Sequence, residues 1–303
     1  MLIDTHCHLN FHAFAKDLSE VVRRAREKGV EKIIVPGTDL TSSRRAVEIA
    51  HTYPGICYAA VGIHPHHAQN PNFKIDDNVR HQLGELLKER GVVAVGEVGL
   101  DYYRYKKTKY ENSDITADIK QKQKDLLLLQ LDLALIHNKP VILHCRDAYR
   151  DMLDLVSNYS RNPQVSNNYI NQHQNPVKTN YIPAQGWSAL GGKPSRLIGV
   201  FHCFSGSTQD LELILTMGYY VGFDGNITYN KNQYSPLVAS VPLNRLLLET
   251  DSPYLTPVPH RGTRNDPAYI PLVAQAVAKY HDSPLSEVIH ISTKSVLSFF
   301  DLN

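Results

Sequence analysis

The residues of this sequence with the clearest chemical potential are two histidines separated by one residue, His6 and His8. They lie in residues 2–9, a short apolar segment without Gly or Pro, which predicts a β-strand. Alternate residues of a strand point to the same face, so the two imidazoles would project together while Thr5 and Cys7 face the other way. Two imidazoles on one face are suited to holding a metal ion.

Four further residues with metal-ligand chemistry occur inside or just after later apolar runs. A buried Glu such as Glu97, which lies in an apolar run beside Gly96, usually has a charged partner or a metal ion. In a parallel barrel the carboxyl ends of the strands converge on one face, where the active site lies. We therefore expect one pocket to contain His6, His8, Glu97, His144, His202 and Asp251.

Four imidazoles and two carboxylates form a suitable ligand set for two divalent metal ions bridged by Glu97. Such ions lower the pKa of a bound water and polarise a phosphoryl or carbonyl oxygen, so the predicted chemistry is hydrolysis. An Asp beside one ion, such as Asp251, can accept the proton of the attacking water. Each residue alone has a simpler explanation, since Asp251 precedes Ser-Pro and also suits a turn or a helix cap. The prediction depends on the whole set.

These residues have to be positioned by a strand–helix pattern that repeats along the 303 residues. Apolar runs bounded by Gly, Pro or charged residues predict eight strands, at residues 2–9, 32–37, 57–64, 92–100, 140–145, 197–204, 219–224 and 245–250. Segments with helical spacing lie between them. This alternation favours a single-domain α/β fold, a (β/α)8 TIM barrel, over an open doubly wound sheet, which can also contain eight strands.

The composition and the cysteine pattern indicate the class of protein and the compartment in which it works. Hydrophobic residues at 42% and charged residues at 20% are typical of a globular protein, and a net charge of +2 does not by itself indicate nucleic acid or membrane binding. The four cysteines have no Cys-X-X-Cys spacing and predict reduced, buried thiols. Without a signal-peptide pattern or a run of 18 apolar residues, a cytoplasmic protein with no membrane span is expected.

Two polar segments interrupt the pattern. Residues 157–193 are rich in Asn, Gln, Ser, Tyr and Pro and predict a flexible insertion after strand five, with a substrate-binding flap as the alternative. Residues 104–118 follow strand four, where basic residues alternate with aromatic ones, a pattern that suits gripping a nucleic-acid backbone. A solvated loop is the alternative. The residues concerned are Arg104, Lys106, Lys107 and Lys109, with Tyr103, Tyr105 and Tyr110.

Six segments, in order along nearly the whole chain, resemble the TatD family of metal-dependent nucleases, a branch of the amidohydrolase-like barrels. They are Ile3-Asp4-Thr5-His6-Cys7-His8-Leu9, Gly62-Ile63-His64-Pro65-His66, Gly96-Glu97-Val98-Gly99-Leu100-Asp101-Tyr102, His144-Cys145-Arg146-Asp147-Ala148, His202-Cys203-Phe204-Ser205-Gly206 and Glu249-Thr250-Asp251-Ser252-Pro253-Tyr254-Leu255. The resemblance implies a (β/α)8 barrel with a dinuclear divalent-metal site and hydrolysis of phosphodiester bonds in DNA.

The resemblance also implies a role for each matching residue. It makes His6, His8, Glu97, His144, His202 and Asp251 the metal ligands, with Glu97 and Asp251 carrying catalysis and Asp251 as the general base. It assigns the substrate phosphate to His64, with Tyr102 and Arg146 as further candidates. The expected cofactors are two ions of Zn, Mn, Ni or Mg. The expected partner is DNA, as single strands or duplex ends, cleaved as by an exonuclease, with the direction of cleavage left open. No membrane and no obligate protein partner are expected. The two polar segments depart from the family pattern without removing a ligand.

Other functions remain open. Related hydrolases that act on cyclic amides or phosphotriesters bridge their metals with a carboxylated Lys on strand four, whereas residues 92–100 contain Glu97 and no Lys. A D-aminoacyl-tRNA deacylase is a second alternative, because the same site polarises a carbonyl as readily as a phosphoryl group. A non-catalytic nucleic-acid-binding protein is a third, and the intact set of six ligands argues against it.

Overall fold

In the computed structural model of the chain, residues 1–105, 114–161 and 197–302 are described. Eight parallel strands form one sheet in chain order. They are β1 (Leu2–Asp4), β2 (Val30–Pro36), β3 (Cys57–Val61), β4 (Val92–Asp101), β5 (Val141–Arg146), β6 (Gly199–Phe201), β7 (Tyr220–Phe223) and β8 (Leu246–Leu248). The ring closes just beyond the strands, where the Asp251 N–H donates to the His6 carbonyl at 2.8 Å and the His8 N–H donates to the Ser252 carbonyl at 2.8 Å.

A helix follows each strand, which confirms the predicted (β/α)8 barrel. The helices are α1 (Leu18–Glu27), α2 (Leu40–Thr52), α3 (Asp77–Leu86), α4 (Ala117–Ile136), α5 (Tyr149–Arg161), α6 (Thr208–Thr216), α7 (Lys231–Ala239), α8 (Ile270–Tyr280) and α9 (Leu285–Phe299). Several begin at a side-chain cap; Asp39, Thr116 and Ser207 each accept a hydrogen bond from a first-turn N–H. Within the described ranges, no helix is both long and apolar enough to cross a membrane.

The apolar core has two parts, because the barrel strands are buried on both faces. One part fills the space between strands and helices. The other lies inside the barrel, where Ile3, Ile34 and Ile142 pack against Phe299 and its neighbours in and after α9. The Thr293 hydroxyl on α9 donates to the Met1 carbonyl at 2.8 Å, so α9 covers the amino-terminal end of the barrel. The opposite end, where the strands finish, is left for polar side chains.

The first strand is shorter than predicted. It ends at Asp4, so His6 and His8 lie in the extended segment that follows it and not on the strand itself. There the chain pairs with the segment after β8, through a parallel bridge between Cys7 and Ser252. Cys7 packs into the outer core, so the opposite facing of Cys7 and the two histidines agrees with the prediction.

The two polar segments also have boundaries that differ from the prediction. Helix α5 continues through Arg161, so residues 157–161 belong to a helix and not to an insertion. Tyr159 is buried there, and its hydroxyl donates to Asp132 at 2.7 Å. Residues 162–193 lie outside the described residues, as do Lys106, Lys107, Lys109 and Tyr110 of the basic segment.

Candidate active site

Glu97 reaches the barrel interior because β4 contains an extra residue. Ala94 on the same strand packs inside the barrel, so regular alternation would turn Glu97 towards the outer helices. The register between β4 and β5 shifts between Val95 and Val98. This shift is a β-bulge, and it reverses the alternation so that the Glu97 side chain points inward.

The carboxylate of Glu97 lies between two groups of imidazoles. Its Oε2 atom is 3.4 Å from His6 Nε2 and 3.5 Å from His8 Nε2. Its Oε1 atom is 2.9 Å from His144 Nδ1 and 2.8 Å from His202 Nε2. Oε2 thus faces His6 and His8, and Oε1 faces His144 and His202, an arrangement that suits a carboxylate shared by two metal ions.

Asp251 lies on the His6–His8 side of this cluster. It follows β8 with a φ of +54°, a left-handed conformation that Asp tolerates better than most residues. Its Oδ1 atom is 3.7 Å from His6 Nε2 and 3.5 Å from His8 Nε2. The structure thus brings all six predicted ligand residues into one cluster at the carboxyl ends of the strands.

Two histidines have a hydrogen bond that determines which ring nitrogen is available. His8 Nδ1 lies 3.3 Å from the Pro36 carbonyl, which can only accept, so Nδ1 carries a proton and Nε2 is the nitrogen that faces Glu97. His144 Nε2 lies 2.9 Å from the Asp101 carboxylate, which leaves Nδ1 to face Glu97. Metal-binding histidines are held in this way, so the donor set fits divalent ions.

His64 has the opposite arrangement. Its Nδ1 accepts the backbone N–H of His66 at 3.2 Å, so its proton lies on Nε2, 3.4 Å from Glu97 Oε1. Burial and the neighbouring His144 lower the pKa of His64 to about 3, so the ring is neutral. By distance alone His64 groups with Glu97 and His144 as a possible metal ligand. The tautomer makes it a hydrogen-bond donor instead.

The electrostatics of the cluster keep both carboxylates ionised. Burial alone would raise the pKa of Glu97, but the surrounding imidazoles outweigh it and hold that pKa well below its usual value. The same balance, with His8 as the main partner, lowers the pKa of Asp251. Burial and the adjacent His202 ring lower the pKa of His6 to about 4, which leaves its lone pair free of a proton.

Burial opposes a charge on His144, but its hydrogen bonds to Asp101 and Glu97 outweigh burial and raise its pKa to about 10. Against the same effect of burial, the bond to Asp251 raises the pKa of His8. Metal binds ionised carboxylates and neutral imidazoles, so an ion held by His144 or His8 would displace a proton.

Comparison with known proteins identifies the family of this chain. The family model described as TatD related DNase matches residues 3–301. The uncharacterized metal-dependent hydrolase YabD of Bacillus subtilis is 34% identical over 305 residues, covering 100% of both chains. The 3'-5' ssDNA/RNA exonuclease TatD of Edwardsiella piscicida is 31% identical, covering 99% of this chain and 100% of the relative. The chain belongs to the TatD family.

A solved structure of the TatD homolog YJJV from Escherichia coli K12 has the same fold, with a TM-score of 0.78 and 29% identity over 100% of this chain and 98% of that chain. As a TatD-family member the protein is a metal-dependent hydrolase that acts on ester bonds. Its cofactor is a divalent metal, and the His, Glu and Asp groups described above are suited to bind one.

The two remaining predicted residues of this TatD-family site differ in position. Arg146, at the end of β5, is exposed, stacks on the Tyr103 ring at 3.9 Å and donates to the Tyr105 hydroxyl at 3.1 Å. The Tyr102 hydroxyl instead donates to Asp151 at 2.9 Å, and Lys120 lies over its ring. The structure therefore places Arg146 beside the cluster and directs the Tyr102 hydroxyl towards α5.

Sequence reasoning missed three polar residues near the cluster, Asp101, His66 and Glu249. Asp101 is fully buried and accepts hydrogen bonds from several neighbours, among them the Tyr105 hydroxyl at 2.9 Å, and His66 Nε2 lies 3.1 Å from its carboxylate. Glu249 lies next to His202, with 3.9 Å between Glu249 Oε1 and His202 Nδ1. Its carboxylate occupies the space that a side chain at Gly222 would fill. All three lie in the family-like motifs. A spacing of two residues from His64 was the available signal for His66, and the same spacing from Asp251 was the signal for Glu249.

Proposed function

We propose that this chain is a nuclease that hydrolyses phosphodiester bonds in DNA, acting as an exonuclease on single strands or duplex ends. The observation that carries the proposal is the position of Glu97, whose two oxygens face two separate pairs of imidazoles. Two ions that share a carboxylate suit an in-line displacement at phosphorus, because both the attacking and the leaving oxygen have to be stabilised. The nuclease relatives support a nucleic-acid substrate.

In this proposal two divalent ions are held by His6, His8, Glu97, His144, His202 and Asp251. When bound, they would polarise a phosphoryl oxygen and lower the pKa of the attacking water. The mixture of imidazole and carboxylate donors suits Zn, Mn or Ni better than Mg, which prefers oxygen ligands alone.

Asp251 is assigned as the group that accepts a proton from the attacking water. It is ionised, and its Oδ1 lies beside the His6 and His8 nitrogens, on one side of the Glu97 carboxylate. The His6 carbonyl accepts its backbone N–H at 2.8 Å, which fixes the main chain, and His8 Nε2 lies 3.5 Å from Oδ1 and orients the carboxylate. A proton acceptor needs both a free lone pair and a fixed direction, and Asp251 has both.

Two residues are assigned to phosphates of the substrate, His64 to the phosphate at the metal cluster and Arg146 to a neighbouring phosphate of the strand. The neutral His64 ring presents an Nε2–H towards the cluster, which suits donation to a non-bridging phosphate oxygen. Arg146 is exposed at the mouth and presents a guanidinium, whose planar fork matches a phosphate. Tyr102 is left out of this assignment, because its hydroxyl donates to Asp151.

We also propose that the enzyme works in the cytoplasm. The supporting observation is that all four cysteines, Cys7, Cys57, Cys145 and Cys203, are free thiols. Free thiols persist in a reducing compartment.

The experiment is a substrate panel with the purified protein and added Mn²⁺ or Zn²⁺. It contains end-labelled single-stranded DNA, a blunt duplex, RNA of the same sequence, an aminoacyl-tRNA and a small chromogenic phosphodiester. We expect stepwise shortening of the single strand, which Glu97→Gln abolishes and the surface control Glu85→Gln on α3 leaves intact. Metal-dependent release of the amino acid from tRNA, with no cleavage of DNA, would replace this proposal with the deacylase function.

A further inference from the structure

Asp101 is a fully buried carboxylate at the end of β4, four residues after Glu97. Its backbone is held on both sides by the buried amide of Gln123 on α4. The Asp101 N–H donates to Gln123 Oε1 at 2.8 Å, and Gln123 Nε2 donates to the Asp101 carbonyl at 2.8 Å. The carboxylate therefore has little freedom to move relative to the barrel.

The carboxylate is surrounded by hydrogen-bond donors. Its Oδ1 accepts the Tyr103 N–H at 2.9 Å. Its Oδ2 lies 2.9 Å from His144 Nε2, 3.1 Å from His66 Nε2 and 2.9 Å from the Tyr105 hydroxyl. A buried charge costs several kcal/mol unless it is paired and hydrogen-bonded, and these donors supply that compensation.

The bond to His144 has a direct consequence for the metal centre. With Nε2 directed at Asp101, the ring turns Nδ1 to Glu97 Oε1 at 2.9 Å. The other histidine on that oxygen is His202, whose Nδ1 lies 3.9 Å from Glu249 and has no hydrogen-bond partner within the described residues. Of the two proposed ligands that face Glu97 Oε1, His144 is therefore the one whose other ring nitrogen is within hydrogen-bonding distance of a carboxylate, that of Asp101.

We propose that Asp101 is a positioning residue that holds His144 for one of the two metal ions, with Tyr105 and His66 as its supports. The Tyr105 hydroxyl also accepts from Arg146 at 3.1 Å. One hydrogen-bonded chain thus runs from the exposed Arg146 through Tyr105 and Asp101 to His144. The inference rests on the metal ligands of the proposed function and not on its substrate.

The test is a titration of the purified full-length protein with Mn²⁺ after removal of bound metal, with free Mn²⁺ followed by electron paramagnetic resonance. In Asp101→Asn the amide keeps the size of the side chain but has no negative charge. Its NH₂ group is itself a donor, so one of its two positions can no longer accept the hydrogen bonds made to the carboxylate. We expect one Mn²⁺ to bind about 10- to 100-fold more weakly, the usual scale for losing the partner behind a metal-bound histidine. The other Mn²⁺ should keep its wild-type affinity.

Asp132→Asn is the matched control. Asp132 is also a buried carboxylate that accepts a tyrosine hydroxyl, from Tyr159 on α5. Its substitution should lower the melting temperature and leave both Mn²⁺ affinities unchanged. Tyr105→Phe is a milder second variant, which removes one donor to Asp101 and should weaken the same ion by about fivefold, the scale of one hydrogen bond.

Wild-type affinity for both ions in Asp101→Asn overturns the inference, and so does an equal weakening of both ions together with a lower melting temperature. If Asp101→Asn does not fold, unchanged affinities in Tyr105→Phe overturn it. A wild-type protein that binds no Mn²⁺ also overturns it. A wild-type protein that binds two Mn²⁺ but cleaves no DNA contradicts the nuclease proposal alone, because the readout here is metal binding.

Discussion

The proposed metal centre, which comprises His6, His8, Glu97, His144, His202 and Asp251, and the rim around it are built differently. The rim comprises Phe11, Tyr103, Arg146 and Tyr254. In the centre His6 and Glu97 are 0% and 4% exposed, whereas Tyr103 and Tyr254 on the rim are 37% and 44% exposed. The centre follows the ends of barrel strands, and the rim comes mainly from the loops beyond them. The comparison suggests that the barrel determines the chemistry and the loops determine which substrate reaches it.

The two regions are connected at two of the proposed metal ligands, His8 and His144. The Phe11 ring stacks on His8 at 4.3 Å between centroids, and Tyr254 packs against Phe11 at 6.3 Å. On the other side, Arg146 reaches His144 through Tyr105 and Asp101. Substitutions in the centre should therefore affect every substrate, whereas substitutions on the rim should affect only substrates long enough to contact it.

Metal removal should have the largest effect. A chelator in excess should abolish hydrolysis of both single-stranded DNA and a small chromogenic phosphodiester, because the centre acts on the phosphate that both share. Added Mn²⁺ or Zn²⁺ should restore both activities. Full activity in excess chelator, with no metal found by elemental analysis, would remove the basis of the comparison.

Asp251→Asn should come next. The amide keeps the shape but takes no proton, so we expect turnover to fall by about a hundredfold or more on both substrates with the fold intact. Asp147→Asn is the matched control, since Asp147 is an exposed residue after β5 with a φ of +53° against +54° for Asp251. A variant that keeps more than half the wild-type rate would show that another group is the base.

Arg146→Gln should separate the rim from the centre. Loss of one charged contact should raise the KM for single-stranded DNA by about tenfold. It should also flatten the slope of log affinity against log salt by about 0.7. Hydrolysis of the small diester should stay near the wild-type rate, and Arg150→Gln on the exposed surface of α5 should change neither. An equal loss on both substrates would place Arg146 in the centre and not on the rim.

Shortening the polar segment should have the smallest effect. We expect a Gly/Ser linker in place of residues 163–193 to change stability by on the order of 1 kcal/mol, because the segment is poor in core-forming residues. Residues 157–161 are retained, since they belong to α5. Thermal melting and the KM for single-stranded DNA are the measurements. A large rise in KM at an unchanged melting temperature would show that the segment contributes to substrate binding and belongs with the rim.

Much of the fold and of the metal centre was predictable from local pattern. The eight apolar runs predicted the eight strands, and the ligand residues stood out because His and acidic residues are rare inside or directly after such runs. The prediction failed where long-range pairing decides the local structure. Residues 2–9 look like one strand, yet β1 ends at Asp4, and the chain beyond it is joined to the segment after β8 by an isolated bridge between Cys7 and Ser252.

The sequence by itself determined which side chains are available at the strand ends and the order in which the strands present them. Only the tertiary structure decided how they act together. Regular alternation from Ala94 would point Glu97 outward, and the bulge against β5 reverses it. The ring nitrogen that His8 or His144 offers depends on a partner from another strand, so no local spacing encodes it. These partners are what direct separate imidazoles to a single carboxylate.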